Sequence, residues 1–455
     1  MFREYAVGNK NFSTFKMIVT ILATEMSGIT LVYYVQTFYL YGLRRMIVQM
    51  IASIIPFWAI SIISVRMGPF MRNLSIAETI GIIYGKIPRI IVSILGISVA
   101  IATLSVEINV ISFMTKICIN SIDHRSITVL ATLVIVSYTI WGGISSITNT
   151  DILQLITFFI IIFLIAGLMF IKTGKSIFEI VFFLQNQENF KFTNIFKFDI
   201  KTLNIFLSIP YGFLKFHSNP TMIQRVYMCS STMQVKKVFL YTSICLLLLI
   251  FSICIISLFV FTGDQTLSAE EIWNYITDGM PNFLKACIII CVLAMCMSTC
   301  DSYLHLCSIM VGHDVIESIF GVNKIPCIYK ISVARLVLLI IGLLSMIISI
   351  RYNNFFESVL SIVSYPYMIF YCTIGAPLIL SIFGFLGTTR TALIGMATGI
   401  LVLFVYKKFG FPIGISGAIV QLFSNAFGMM VAHYVLPQPP DKGWVTLKYK
   451  EKILK

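Results

Sequence analysis

The chain is a succession of long apolar runs separated by short polar breaks, and most runs approach the roughly 20 residues that a bilayer's hydrocarbon core demands. The pattern predicts about twelve membrane-spanning helices, near residues 14–38, 44–65, 88–115, 126–142, 151–172, 203–224, 237–262, 281–311, 329–350, 355–384, 390–407 and 410–435. Only two connections are long, 173–202 and 263–280. No stretch has room for a separate soluble domain, so the expectation is an all-α polytopic membrane protein forming one transmembrane unit over 1–455.

The informative positions are the polar ones inside the spans. In span eight, Ala294-Met-Cys-Met-Ser-Thr-Cys-Asp-Ser302 lies deep in an apolar run. Helical spacing puts Met295, Ser298, Thr299 and Ser302 on one face. Buried polar groups at membrane depth face a cavity, an ion path or a partner, and hard cations take oxygen ligands. The competing reading is that Ser298 and Thr299 bond back to carbonyls one turn earlier or hold helices together. Span one carries Glu25 and the pair Ser27-Gly28 at mid-membrane. Span six, Ser208-Ile-Pro-Tyr-Gly-Phe-Leu-Lys-Phe-His-Ser-Asn-Pro220, contains two prolines, Gly212 and Lys215. The two interrupted spans are five apart, so they hold equivalent places in two halves of five. That pairing is the sequence signature of a transporter built from inverted repeats, with its binding site at the breaks. Lys215 is too deep in its span to reach the interface. It therefore needs a carboxylate such as Glu25, Glu107 or Asp301, a cavity, or a neutral state.

Composition narrows the class. Hydrophobic residues make up 58% and charged residues 11% of the 455, with a mean hydropathy of +0.93. Soluble domains carry about 25% charged residues. The net charge of +14 is spread over single Lys and Arg, without the basic patch of a nucleic-acid binder. The cysteines sit mostly in apolar segments without metal spacing, and the histidines are dispersed, which argues against an intramembrane enzyme. Gly142-Gly143 lacks the residues of a phosphate loop and reads as a tight interface turn. Asp151, at a span's edge, reads as structural. The N-terminus shows no signal-peptide pattern.

The positive-inside rule sets the orientation. With the N-terminus inside, nineteen of the 33 Lys and Arg fall on the cytoplasmic side and thirteen opposite, with Lys215 inside a span. This bias places both termini in the cytoplasm and the loop 173–202 outside.

Several stretches together resemble the sodium:solute symporter family, nearest in pattern to bacterial sodium/proline symporters. They are Phe2-Arg-Glu-Tyr-Ala-Val-Gly-Asn-Lys10, Ala23-Thr-Glu-Met-Ser-Gly28, and Tyr138-Thr-Ile-Trp-Gly-Gly-Ile-Ser-Ser-Ile-Thr-Asn-Thr-Asp151-Ile-Leu-Gln154. Asn219-Pro-Thr-Met-Ile-Gln-Arg225 and Met297-Ser-Thr-Cys-Asp-Ser-Tyr-Leu304 complete the set. The resemblance implies a five-plus-five inverted-repeat core with broken helices 1 and 6, plus two C-terminal helices. In residue terms these are a first repeat 14–172, a second 203–384, extra helices 390–435 and a short cytoplasmic tail 436–455. It implies a sodium site at the carbonyls of Ala23, Met26 and Met295 and the hydroxyls of Ser298 and Thr299. A solute site is expected at Glu25, Ser27, Gly28, Gly212, Lys215 and Phe216, with coupling or structural roles for Asp301, Asp151, Gly142 and Gly143.

The sequence departs from that pattern in three places. Glu25 stands where the family often has Asp. Lys10 replaces the loop arginine of the sodium/proline symporters. The aromatic pair that packs proline there falls on Gly212 and Phe216, which weighs against proline as substrate. The chain also starts inside the Phe-x-x-Tyr loop, where those symporters have a preceding helix. The expected function is sodium-coupled symport of a small organic solute, an amino acid or other carboxylate, across a bacterial inner (plasma) membrane. The partners are the solute, Na+ and lipid, with no nucleic acid. The alternative is a sensor that keeps the fold without transport.

Overall fold

The computed structural model describes residues 2–119, 123–194, 207, 219–321, 326–352, 362–409, 415–440 and 442–445. Among these residues the structure is almost entirely helical. A short α1 (Phe2–Val7) precedes α2 (Thr14–Glu25) and α3 (Gly28–Met67). The next helices are α4 (Ile76–Tyr84), α5 (Lys86–Cys118), α6 (His124–Trp141), α7 (Ile144–Thr173) and α8 (Ile177–Asn186). Beyond the segment 195–218 lie α9 (Pro220–Met228), α10 (Thr232–Gly263), α11 (Glu271–Thr277) and α12 (Asn282–Ile309). A π-turn (Met310–Val315) carries α12 into α13 (Ile316–Phe320). The chain then runs through α14 (Cys327–Arg351), α15 (Ser364–Phe383), α16 (Thr389–Lys408) and α17 (Ile415–Val435).

Local chemistry explains where these helices start. Ser13, Ser27, Ser75, Asp123, Asn219, Ser231 and Thr388 each sit at an N-cap and accept a backbone N–H of the first turn. Pro220 opens α9, where a missing N–H costs nothing.

Among the described residues nine helices are long and apolar enough to cross a membrane. Helix α2 and the first arm of α3 together form span one, and the second arm of α3 is span two. Here the structure corrects the expected loop near residue 40. The two arms join directly through Gly42, whose φ of +65° favours glycine and whose backbone closes against the Asn189 carbonyl. The two long connections carry helices of their own, α8 and α11. Span eight continues through the π-turn to Phe320.

The packing repeats with a five-span offset. The second arm of α3 and α10, α5 and α12, and α6 and α14 are pairs of equivalents, and each pair is in contact. Contact of α5 with α6 recurs as α12 with α14, and α7 on α12 recurs as α15 on α5. A two-fold pseudo-axis parallel to the membrane produces that pattern. Helices α16 and α17 pack on each other and on α15. Two-residue strands, β1 (Phe385–Leu386) and β2 (Gly443–Trp444), pair antiparallel and tie the segment after α17 to the α15–α16 turn. Large apolar side chains such as Leu153, Ile156, Ile160 and Phe163 on α7 point outward, as a lipid-facing surface requires.

Candidate functional site

The site begins with an accounting problem. Ending α2 at Glu25 frees the carbonyls of its last turn, which inside a membrane must find donors. Met26 leaves helical geometry at φ −86°, ψ 70°, while Ser27 restarts the chain as the cap of α3. Ser27 Oγ accepts the Thr30 N–H at 3.1 Å, and Thr30 Oγ1 donates back to the Glu25 carbonyl at 3.2 Å. The two carbonyls before Glu25 are met from across the interface by α12. Ser298 Oγ contacts the Ala23 carbonyl at 2.7 Å and the Met295 carbonyl at 2.9 Å. Thr299 Oγ1 lies 3.1 Å from the Thr24 carbonyl and 3.3 Å from that of Met295. Both readings of these hydroxyls therefore hold geometrically, since they reach back one turn and also across to the broken helix. Ala23, Met26, Met295 and Ser298 are fully buried and Thr299 nearly so.

Below this cradle lies a buried charged network. Arg225 of α9 is 1% exposed and donates to Ser302 Oγ at 2.7 Å and Thr24 Oγ1 at 3.4 Å. Its positive charge acts on Asp151 and Asp301. Thr20 donates to Asp151 Oδ2, and Tyr138 donates to Asp301 Oδ2 at 3.2 Å. Removing a buried ion from water is tolerable only with such compensation. Gly142 and Gly143 form the extended turn between α6 and α7, and Gly143 lies against the Tyr5 ring.

On the other side of the break is a cavity of about 550 Å³. Its walls come from the broken helix (Thr24, Glu25, Ser27, Thr30, Tyr34), the second arm of α3 (Arg45, Gln49, Ser53), α5 (Thr103, Glu107) and α12 (Thr299, Tyr303). Asn219 Nδ2 donates to Glu25 Oε1 at 2.7 Å, so the cap of α9 holds the carboxylate. Gly28 admits no side chain. A Cβ there would collide with Cys296 Sγ and lie 3.1 Å from Glu107 Oε2. Glu107 itself is fully buried.

Glu25, Ser27 and Gly28 thus come together at the break. Gly212, Lys215 and Phe216 lie outside the described residues, as does any pairing between Lys215 and Glu107. Arg45, Gln49, Asn219, Tyr303 and Tyr367 were missed as cavity residues. One signal was available: Arg45, Gln49 and Ser53 recur at i, i+4, i+8, a polar stripe on an otherwise apolar helix.

A helical inverted repeat with a polar cavity beside a broken helix defines a secondary transporter. The sequence model of the sodium:solute symporter family matches residues 5–399, and the chain belongs to that family. It is a multi-pass membrane transporter rather than an enzyme. No curated protein sequence matches it significantly. Among solved structures it is similar to a Na+-coupled sialic acid symporter captured substrate-bound and outward-open. The TM-score is 0.82 and the identity 18%, over 97% of this chain and 93% of that one. MhsT in complex with L-phenylalanine matches with a TM-score of 0.56 and 13% identity, over 92% and 97%. Mhp1, a nucleobase-cation-symport-1 transporter closed around bromovinylhydantoin, matches with a TM-score of 0.62 and 10% identity, over 98% and 97%. The fold is the five-plus-five inverted repeat with two further C-terminal helices.

Proposed function

We propose that this protein couples inward movement of one sodium ion to uptake of a small organic solute, an amino acid or other carboxylate, by alternating access. The observation that carries the ion site is the meeting of Ser298 and Thr299 with the carbonyls freed where α2 breaks. Five oxygens suit a hard monovalent cation there: the carbonyls of Ala23, Met26 and Met295 and the hydroxyls of Ser298 and Thr299. On sodium binding the hydroxyl protons turn away and the lone pairs take the ion, which then bridges α2 and α12. Thr24 and Thr299 belong to this cradle and also to the wall of the central cavity. Ordering the cradle therefore orders the solute site, and each ligand raises the other's affinity by a coupling of about 1–3 kcal/mol. The membrane potential adds roughly 2.3 kcal/mol per charge per 100 mV.

The solute is held at Glu25, Ser27 and Gly28, with Gly212, Lys215 and Phe216 contributing from span six. Asp151, Asp301 and Arg225 form the charged base on which the two repeats, 14–172 and 203–384, rock. Both termini face the cytoplasm of a bacterial cell. The test is a sodium titration of purified protein, read by sodium-dependent thermal stabilisation and by uptake in proteoliposomes. The variant carrying S298A and T299A loses two oxygen ligands, and its half-saturating sodium concentration is expected to rise by about tenfold or more. Unchanged sodium dependence in that variant overturns the site.

A further inference from the structure

Of the acidic and basic residue types, Asp, Glu, Lys and Arg, the described cavity lining holds three: Glu25, Glu107 and Arg45. Glu25 is engaged by Asn219, and Glu107 is shut behind the break at zero exposure. Arg45 differs from both. It is half-buried in the cavity wall, yet none of the ion pairs or side-chain hydrogen bonds among the described residues involves it. Its charge acts instead on the neighbouring phenols Tyr33 and Tyr34. An arginine turned toward a cavity within a membrane protein, with none of its five donors spent among the described residues, is costly to keep unless a ligand uses them.

The surroundings sort the ligand chemistry. Gln49, one turn on, donates to Tyr34 Oη at 2.7 Å and Ser53 Oγ at 3.2 Å, so its Nε2 is committed. The Tyr34 oxygen also takes the Ser53 hydroxyl, so Ser53 is committed as well and the phenol's own O–H is left to donate into the cavity. The wall around Arg45 is thus a guanidinium fork beside the Tyr34 hydroxyl, arranged on the two arms that meet at Gly42. Planar two-pronged donors of this kind match a carboxylate. A sugar or neutral polyol would leave the guanidinium unpaired on closure.

We propose that Arg45 is the anion-holding residue of the cavity, and that the transported solute carries a carboxylate gripped there beside Tyr34. This rests on the cavity being the solute site. It places the anchoring charge on the second arm of α3. In the orientation given above, Arg45 lies near the exterior end of its span, where an incoming acid meets it first.

The experiment uses the full chain in sodium-containing detergent with matched probes: lactate and lactamide, L-alanine and L-alaninamide, gluconate and glucose. The expected result is that acids stabilise the protein against heat and their neutral or amide partners do not. R45Q should weaken the response to the acid about 10- to 100-fold, as loss of a charge-assisted pair predicts. R45K should recover part of it, and the half-saturating sodium concentration should stay at the wild-type value. The proposal fails if R45Q keeps wild-type affinity for the acid, if neutral probes act as well as acids, or if no acid stabilises the wild type. In each of these cases sodium still stabilises the wild type and still responds to S298A with T299A. If sodium itself has no effect on the wild type, the transport reading fails instead.

Discussion

At the residue scale, the site depends on side chains that are absent as much as on those present. Gly28 lets the restarted helix press directly on Cys296 and Glu107. Substituting G28A overpacks this contact and is expected to cost about 1–3 kcal/mol of stability. Adding C296A removes the sulfur in the way and should recover part of the loss, measured as thermal unfolding of the two variants in detergent. Equal stability of G28A and wild type would mean that the break can shift without cost. Part of this was legible in the sequence: Glu25 and the Ser-Gly pair announced a break. That the glycine faces Cys296, more than 250 positions away, follows from packing alone.

At the element scale, helix ends from the two halves of the inverted repeat are joined by an ion-pair cluster. His313, in the π-turn after α12, lies 3.3 Å from Glu78 of α4 and 2.8 Å from Glu317. Lys330 pairs with Glu317, and Arg89 pairs with Asp314 at 2.9 Å. A π-turn shifts the register of side chains, here bringing His313, Asp314 and Glu317 toward α4 and α5. Burial alone would raise the Glu78 carboxyl, but His313 and the Leu74 N–H hold it below its ordinary 4.5. A carboxyl depressed by folding contributes stability above its unfolded value and loses it as pH falls through the folded one. Unfolding temperature should therefore drop as the pH is lowered below about 4.5, and E78Q should be less stable at neutral pH with a flatter acid limb. An E78Q acid limb identical to wild type would remove Glu78 from that role. Sequence periodicity could not have found this cluster, because its members come from four separate segments.

At the scale of the whole molecule, the weak point of the orientation is the lysine content of the loop 173–202. The structure accounts for part of it. Lys172 Nζ lies 2.5 Å from the Tyr275 carbonyl and 4.1 Å from that ring's centre, and Lys175 Nζ is 3.4 Å from the Thr262 carbonyl. These lysines sit at the C-terminal ends of α10 and α11, where a cation is favourable beside unpaired carbonyls. In cells, a cysteine at exposed Lys191 should react with an impermeant maleimide from outside. A cysteine at Lys442 should react only after permeabilisation. The reverse pattern would invert the molecule.

The sequence by itself determined what depends on local composition and period: the class, the approximate spans, the broken first span, and the polar face of span eight. Apolar run length is a direct consequence of bilayer thickness, and a carboxylate beside Ser-Gly at mid-span has few structural solutions. The motifs also carried the family. Tertiary structure alone decided how the freed carbonyls of α2 are satisfied, because the donors on α12 are some 275 residues away. It decided too that spans one and two meet at Gly42, since a single glycine at φ +65° turns the helix where a short loop was expected. And it decided that Arg45, which in one dimension is simply a basic residue at a span's end, faces a cavity shared with Glu25. Facing is a relation between helices, set here by how the two arms of α3 fold back at Gly42 rather than by their separation along the chain.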